Sequence, residues 1–396
     1  MSPFVSIITP SYNQGQYIRE TIESVLSQDY SNVEHIVIDG SSTDETVAIL
    51  KEYGQRYPDR FRWVSEPDNG QSDAFNKGLG MARGELVGWQ NSDDYYLPGA
   101  ISALVEAWSD PTAVVYGGCA LIDDNGKRLD KSRHPKTAAI PFDAEQFLIK
   151  GAFVLNQSAL IPRAALVAVG GLDVTLHYCM DYDLWLRLLP VTPFLQVNHD
   201  VGVFRLIEGT KTVSGRAIAA QEHLGPLNRF FARADIPLRL RRYRDEVVAR
   251  RHLDVAFKYF GALRADEGLY HWHEARKHIP IRVLTQDVSR LSQFILDSVP
   301  PVLAGRTEAM IAIGVAVRAI SSVQPDIAIS LRRATTGTWY AREAVRAAAR
   351  GKQPRHVLAY ATNALARDRR WIWRRVARKL QPYLIPQSIA FKRSSV

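Results

Sequence analysis

Over its first ninety or so residues the chain alternates short apolar runs with longer stretches of helical period. That alternation narrows the fold more than any other feature of the sequence. Residues 4–9 form an apolar run bounded by Pro10. Val33–Asp39 is a second such run, residues 61–66 a third and residues 85–90 a fourth. Between them, residues 15–28 place Ile18, Ile22, Val25 and Leu26 on one helical face. Residues 43–57 turn Val47 and Leu50 inward, and residues 73–82 read as a third helix. Strands alternating with helices of this length predict an α/β fold, Rossmann-like, with a mostly parallel sheet and helices on both faces. Sheets of that kind bind ligands at the carboxyl ends of their strands.

Beyond residue 90 the pattern changes. Residues 113–119 and 120–123 read as two strands, with Asp124-Asn125-Gly126 as a hairpin turn signal. Residues 142–150, 163–169 and 180–189 read as short helices, and Phe194–Leu206 as a late strand. After about residue 225 strand signals vanish and Arg- and Ala-rich helical patterns follow, as in residues 338–350 and 356–380. Charge divides at the same place. Residues 1–225 hold 18 Lys and Arg against 28 Asp and Glu, whereas residues 226–396 hold 32 against 13. An acidic half joined to a basic half points to two jobs, so the expected organisation is a catalytic domain, 1–225, and a basic all-helical C-terminal region, 226–396.

Composition excludes several classes. Cys119 and Cys179 make no zinc or CxxC pattern, and their scarcity suits a reducing compartment better than a disulfide scaffold. The N-terminus has no basic segment of the secretory kind, and no window approaches the roughly 18 apolar residues of a membrane span. The nearest, residues 309–317, stops at Arg318 and reads as a buried helix. The expected location is cytoplasmic. Gly78, Gly80 and Gly84 do not make a dinucleotide fingerprint, because they precede a strand rather than open a helix. His271 and His273 lack a partner at ligand spacing and read as surface or packing residues.

The strand ends carry the chemistry. The first ends in Thr9-Pro10-Ser11-Tyr12-Asn13, the second in Asp39-Gly40-Ser41-Ser42-Thr43-Asp44, the fourth in Gln90-Asn91-Ser92-Asp93-Asp94. Ser42, Thr43 and Asp44 also suit helix N-caps. Asp93 and Asp94 are harder to explain structurally, since adjacent carboxylates repel unless a cation or donor compensates. Hard oxygen ligands suit Mg²⁺ or Mn²⁺, ions that bridge to substrate phosphates.

Five segments, IITPSYN, VIDGSSTDET, SEPDNGQSDAFNKG, MARGELVGWQNSDDYYLP and GGLDVTLHYCMDYDLWLRL, follow one another in order and carry a resemblance that covers about residues 3–210. Together they resemble the family 2 glycosyltransferases, inverting enzymes of GT-A fold, in their bacterial cell-surface polysaccharide branch. The resemblance implies that Tyr12 packs against a nucleotide base in a pocket lined by Thr9 and Pro10. It implies that Asp39 accepts a hydrogen bond from that base and that Asp73 and Asn76 belong to the donor pocket. It places Asp93 and Asp94 at a divalent metal, Asp94 as the direct ligand and Asp93 near ribose or metal, and it makes Asp181 the catalytic base. Physical chemistry agrees with those roles. A diphosphate entering an acidic site needs a cation, which also stabilises the leaving group. A carboxylate within reach of an acceptor hydroxyl takes its proton during attack, and a single displacement inverts the anomeric carbon.

Asp183 competes for the base role, but on a helix it points about 200° from Asp181 and suits charge compensation at a helix N-terminus. Trp89, Trp185 and Leu188 read as core. The chain departs from the family pattern at Asn91, where Asp is usual, and at Ile207, where a His is usual. Either the metal shell is filled otherwise or phosphate contacts fall to Arg205 and Lys211. The implied partners are a UDP-, GDP- or dTDP-sugar and a glycan or lipid-linked acceptor, the latter met through residues 128–147. Trp371, Ile372, Trp373, Val376 and Leu380 are interleaved with Arg369, Arg370, Arg374, Arg375, Arg378 and Lys379. Such a helix either docks on an anionic membrane at its inner face or packs on the catalytic domain. No nucleic-acid module is present. A non-catalytic sugar-nucleotide or glycan-binding scaffold is the rival reading, and the joint presence of Asp39, Asp93, Asp94 and Asp181 favours the enzyme.

Overall fold

The computed structural model describes residues 2–129, 142–150, 154–207, 216–262 and 264–278. The chain divides into two compact units, Met1–Val247 and Val248–Val396.

The first unit is built on one eight-stranded sheet. Its strands are β1 (Val5–Ser11), β2 (Val33–Asp39), β3 (Phe61–Ser65), β4 (Leu86–Trp89), β5 (Tyr95–Tyr96), β6 (Val114–Asp123), β7 (Ala159–Pro162) and β8 (Phe194–Leu206), in the spatial order β3-β2-β1-β4-β7-β6-β8-β5. The half β3-β2-β1-β4 is wholly parallel. In the other half β7 runs against both β4 and β6, and β5 runs against β8. The sheet is therefore mixed, but most of its pairing, β6 with β8 included, is parallel as expected. The short runs β5 and β7 and the helix α4 below were not assigned from sequence.

The helices are α1 (Ile18–Leu26), α2 (Thr46–Arg56), α3 (Gln71–Met81), α4 (Ala100–Ala107), α5 (Ala144–Lys150), α6 (Arg163–Ala168), α7 (Met180–Leu188), α8 (Arg216–Glu222), α9 (Leu224–Ala232) and α10 (Leu238–Arg241). Alternation along the strands sends side chains to opposite faces. Ile18 and Ile22 of α1 and Leu50 of α2 pack on Val37, and Ile101 and Leu104 of α4 join the cluster of Val5, Ile7 and Val33. The opposite face receives α3. A Cβ on Gly78 would lie 2.5 Å from the Ile8 side chain, so the missing side chain lets this helix come down on β1. Gly84 serves a similar close approach, for a Cβ there would lie 2.6 Å from the Ser6 backbone nitrogen. Gly78 and Gly84 are thus packing devices, whereas a Cβ on Gly80 would meet nothing within 4 Å. In α2 the buried face is Thr46, Ile49, Leu50 and Tyr53, with Val47 only half-buried.

The two strands expected over 113–123 are one, β6, whose pairing with β8 shifts register between Tyr116 and Cys119. The turn at 124–126 forms as expected, with Gly126 at φ 76 and the Lys127 carbonyl accepting from the Asp123 N–H at 2.9 Å. The expected boundary at 225/226 differs from the compact unit, which runs on to Val247. The reason is local. Helix α9 buries Leu227, Phe230 and Phe231, and its Arg229 pairs with Asp183 of α7 at 2.8 Å.

In the second unit, α11 (Arg244–Gly261), which begins just before the break, and α12 (Ala265–His278) are described. Within this unit Phe257 packs edge-on to Trp272, and His252 and His271 share a hydrogen bond of 2.9 Å between their Nδ1 atoms. His271 is accordingly a packing residue, as expected. The 340–367 hairpin, the apolar run 309–317 and the Trp- and Arg-rich segment 369–380 lie outside the described residues, as does Lys211. Among the described residues no helix is long and apolar enough to cross a membrane.

Candidate active site

Register brings the first two strand ends together. Ser11 pairs with Asp39 and Asp39 with Ser65, so three polar residues stand in a row at the carboxyl edge. Asp39 is fully buried there. Its Oδ2 accepts from the Ser42 N–H at 2.9 Å and the Ser65 hydroxyl at 2.7 Å, and its Oδ1 from the Ser42 hydroxyl at 2.5 Å. The following turns are laced to one another. The Asn13 N–H donates to Ser42 Oγ, the Thr43 N–H to Asn13 Oδ1 and the Gly15 N–H to Asp44 Oδ2. Asp44 also accepts from the Thr46 N–H at the start of α2. The side chains of Ser42, Asp44 and Asn13 therefore hold backbone, whereas the Thr43 hydroxyl meets only the Asn13 side chain. Asn13 and Ser41 sit at φ 51 and 65, a left-handed conformation that costs non-glycine residues about 1 kcal/mol or more and collects at functional sites.

Thr9 is buried, its hydroxyl 2.9 Å from His35 Nε2, and burial drives the His35 pKa down to about 3, so that imidazole is neutral. What the β1 end offers to solvent is Tyr12, 61% exposed, beyond Pro10 and Ser11. An aromatic ring held open over a polar strand edge can stack on a planar ligand.

The acidic turn after β4 treats its two carboxylates differently. Asp94 is fully buried. Its Oδ1 accepts from the Arg205 N–H at 2.8 Å and its Oδ2 from the Asn91 amide at 2.9 Å, so it braces the turn against β8. Burial, then the neighbouring Asp93, raise its pKa well above the usual carboxylate range. Asp93 is half-buried, and among the described residues no hydrogen-bond donor other than its own N–H reaches its carboxylate; burial raises its pKa as well. Both oxygens of Asp94, the expected direct metal ligand, are thus already engaged in this structure. Arg205 is also engaged otherwise than expected for a phosphate contact. It is 7% exposed, ion-paired to Glu20 at 2.6 Å, donates Nε to the Asp93 carbonyl and lies 5.2 Å from the Tyr17 ring centre.

Helix α3 links this turn to the rest of the site. Gln71 Nε2 donates to Asn91 Oδ1 at 2.9 Å. Asp73, in the first turn, accepts from the Asn69 N–H at 2.9 Å. Asn76 uses both ends of its amide on the backbone of Leu172, at 2.8 Å each, and so ties α3 to the loop that precedes α7. The polar atoms of Asp73 and Asn76 thus shape the site's frame.

Asp181 lies in the first turn of α7, half-buried, with Oδ1 2.7 Å from the Tyr182 N–H. Burial lifts its pKa to about 6, the range in which a carboxylate is a useful general base. Asp183, two residues on, is 2% exposed and ion-paired to Arg187 at 2.7 Å and Arg229 at 2.8 Å. It is a packing charge. Trp185, Leu188 and Trp89 are core, as expected. One residue escaped the sequence reading. Glu222, the last residue of α8, accepts from the N–H groups of His177, Tyr178 and Cys179 at 2.9, 2.7 and 2.9 Å, capping the turn that delivers Asp181. Nothing near it in the sequence signals this, since its partners lie more than forty residues earlier.

The chemistry this frame can support is a cation held by one open carboxylate, a planar base on an aromatic ring, and proton removal by a carboxylate at a helix start. No group of three or more His, Cys, Asp or Glu residues that could by itself hold a metal occurs among the described residues. Asp93 alone still fits, because Mg²⁺ and Mn²⁺ are commonly held by one or two carboxylates with substrate phosphates completing the shell.

A family model described as "Glycosyl transferase family 2" matches residues 6–163. An uncharacterized glycosyltransferase of Rickettsia typhi is 31% identical over 220 residues, which is 54% of this chain and 67% of that protein. Three other rickettsial relatives are longer, and the matched part covers 28–36% of their length. Among solved structures, S. aureus TarS 1–349 in complex with UDP-GlcNAc aligns with a TM-score of 0.54 at 18% identity, over 81% of this chain and 92% of that one. A mannosyltransferase of Pyrobaculum calidifontis, in complex with GDP-Man and Mn²⁺, aligns with a TM-score of 0.52 at 18% identity, over 82% and 89%. These two likenesses establish the GT-A-like fold.

Proposed function

The chain belongs to glycosyl transferase family 2 and is a glycosyltransferase, and from that premise we propose that it is an inverting, metal-dependent enzyme that moves a sugar from a nucleoside diphosphate to a hydroxyl acceptor. The observation that carries this reading is the division of labour among carboxylates. Asp94 and Asp183 are closed off by hydrogen bonds and ion pairs from other residues, Asp93 has only its own N–H on its carboxylate, and Asp181 is held near pKa 6.

In this reading Tyr12 stacks on the nucleotide base, with Thr9 and Pro10 beneath it and Asp39 beside it. Asp93 would hold Mg²⁺ or Mn²⁺, and Asp94 keeps the turn in place. A cation held there would supply charge neutralisation for the leaving diphosphate. Asp181 accepts the proton of the acceptor hydroxyl as its oxygen attacks the anomeric carbon. The bond to the diphosphate oxygen breaks on the opposite side, and configuration inverts. Asp73 and Asn76 position α3 and the 170–172 turn rather than touching the donor. The Mn²⁺- and GDP-Man-bound mannosyltransferase and the UDP-GlcNAc-bound TarS are in keeping with a sugar-nucleotide donor. We place the acceptor on a glycan or lipid carrier of surface polysaccharide or glycolipid synthesis, at the inner face of the membrane. The basic composition of residues 226–396 supports this.

The test is release of nucleoside diphosphate from a panel of UDP-, GDP- and dTDP-sugars, with Mn²⁺, with EDTA, and with Asp93→Asn and Asp181→Asn. Metal-dependent release that is lost in Asp93→Asn, with acceptor-dependent turnover lost in Asp181→Asn, is the expected result. Undiminished turnover in EDTA would remove the metal from the mechanism.

A further inference from the structure

A cavity of about 320 Å³ opens between the start of α3 and the loop leading into α7, lined by Asn69, Gly70, Gln71, Ser72, Val174, Leu176, His177, Tyr178 and Met180. Its two walls differ in kind. The α3 wall is made of donors. Gly70 stands at the N-cap position with φ 105 and offers no capping side chain. The Asn69 and Gly70 N–H groups are taken by Asp73 and Asp68, and the Ala74 N–H turns back to the Gly70 carbonyl. The N–H groups of Gln71, Ser72 and Asp73 have no acceptor among the described residues. Ser72 is 4% exposed, and its hydroxyl likewise has no partner. Buried polar groups without partners are uncommon, and a set of them beside a cavity marks where a ligand supplies the acceptor. The facing wall is mostly apolar, from Val174, Leu176, Tyr178 and Met180, with Leu176 and Met180 buried and the exposed His177 as its one imidazole.

A ligand group matching both walls carries an oxygen acceptor and a methyl a bond or two apart. Ring hydroxyls alone leave the apolar wall unmatched. A carboxylate or phosphate would suit the helix N-terminus and His177, but it would also face the buried side chains of Leu176 and Met180, with the carboxylates of Asp73 and Asp181 on neighbouring turns. An acetamido group meets both demands, with its carbonyl toward Ser72 and the α3 N–H groups and its methyl against Leu176 and Met180. The cavity also adjoins both ends of the reaction. Gln71 hydrogen-bonds Asn91, beside Asp93's turn, and Met180 precedes Asp181. The transferred sugar is the part of the substrates that must reach both.

We propose that this cavity receives the transferred sugar and selects an N-acetylated hexosamine. The inference rests on the transferase reading above and adds the identity class of its donor.

The experiment compares kcat/KM for UDP-GlcNAc with UDP-glucose, and UDP-GalNAc with UDP-galactose, with GDP-mannose and a dTDP-hexose included, all with Mn²⁺. The acetamido member of a pair should lead by roughly tenfold or more, the scale that a matched apolar contact and hydrogen bond provide. Ser72→Val removes the buried hydroxyl, and Val174→Ser weakens the apolar wall at an exposed position. Each should shrink that preference several-fold while inhibition by UDP alone stays as in the parent protein. A donor without an acetamido group that turns over as fast or faster overturns the proposal, as does a Ser72→Val variant that slows both members of a pair equally. If folded protein turns over no sugar nucleotide at all, the transferase mechanism itself fails, which is a separable result.

Discussion

Replacing Glu222 by alanine removes one carboxylate that three backbone N–H groups share immediately before the helix carrying Asp181. Hydrogen bonds to a charged acceptor contribute about 1.5–3 kcal/mol each when water cannot replace them. His177 is exposed and Tyr178 half-buried, so water recovers much of two of the three, whereas Cys179 is buried. A negative group at a helix N-terminus adds roughly 0.3–1 kcal/mol. The net expectation is a loss of about 2–4 kcal/mol, read by urea unfolding followed through tryptophan fluorescence, since Trp185 is buried in α7. The effect has a pH signature. Burial works against the charged form of Glu222, but the surrounding N–H groups outweigh it and hold its pKa below the usual carboxylate value. A carboxylate with a depressed folded pKa stabilises at pH values above its unfolded pKa, and the contribution fades as pH falls through the folded one. The gap between parent and Glu222→Ala should therefore be full near neutrality and close in acid. Turnover should fall more than donor affinity, because a displacement of the α7 start by about 1 Å can cost on the order of 10²-fold in rate. A variant within about 0.5 kcal/mol of the parent near neutral pH, or a gap that persists unchanged in acid, would refute this account of the cap.

Other consequences can be checked directly. The acid limb of the rate profile should bend near pH 6, because Asp181 must be deprotonated to accept a proton and burial holds its pKa at about 6; a limb bending near 4 would mean that another group is the base. Asp93→Asn should weaken Mn²⁺-dependent donor binding at little cost in stability. Asp94→Ala should instead lower the unfolding midpoint by the equivalent of roughly 2–3 kcal/mol, having left the Arg205 N–H and the Asn91 amide without an acceptor. The reverse pattern in thermal melts and donor titrations would return the metal to Asp94. Gly202→Ala should destabilise by about 1–3 kcal/mol, because the added Cβ would sit 2.5 Å from the Gln157 carbonyl oxygen; an unchanged melting temperature would show that the β8 backbone yields there.

The parallel half of the sheet was legible in the residues because its periodicities are local. Apolar runs and helical faces repeat within a dozen residues, so Val33–Asp39 and Phe194–Leu206 keep in the structure the bounds that the sequence suggested. Strand β7, four residues long and preceded by a 3₁₀ turn at Asn156–Ser158, has too short a pattern to stand out, and it is the strand that reverses the sheet. Candidate site residues were legible as a set, since acidic and polar groups follow the ends of β1, β2 and β4. Their individual roles were not. Whether a carboxylate is open or closed depends on which donors reach it, and those donors come from distant segments. Asp94 is closed by an N–H 111 residues along, Asn76 is drawn to a backbone 96 residues away, and the α7 start is capped from 43 to 45 residues beyond. The sequence alone determined the α/β class, the edge of the sheet that carries the chemistry and the short set of carboxylates there. Only the tertiary structure decided which of those carboxylates is free to act, because hydrogen bonding and burial are properties of neighbours in space, not of neighbours in the chain.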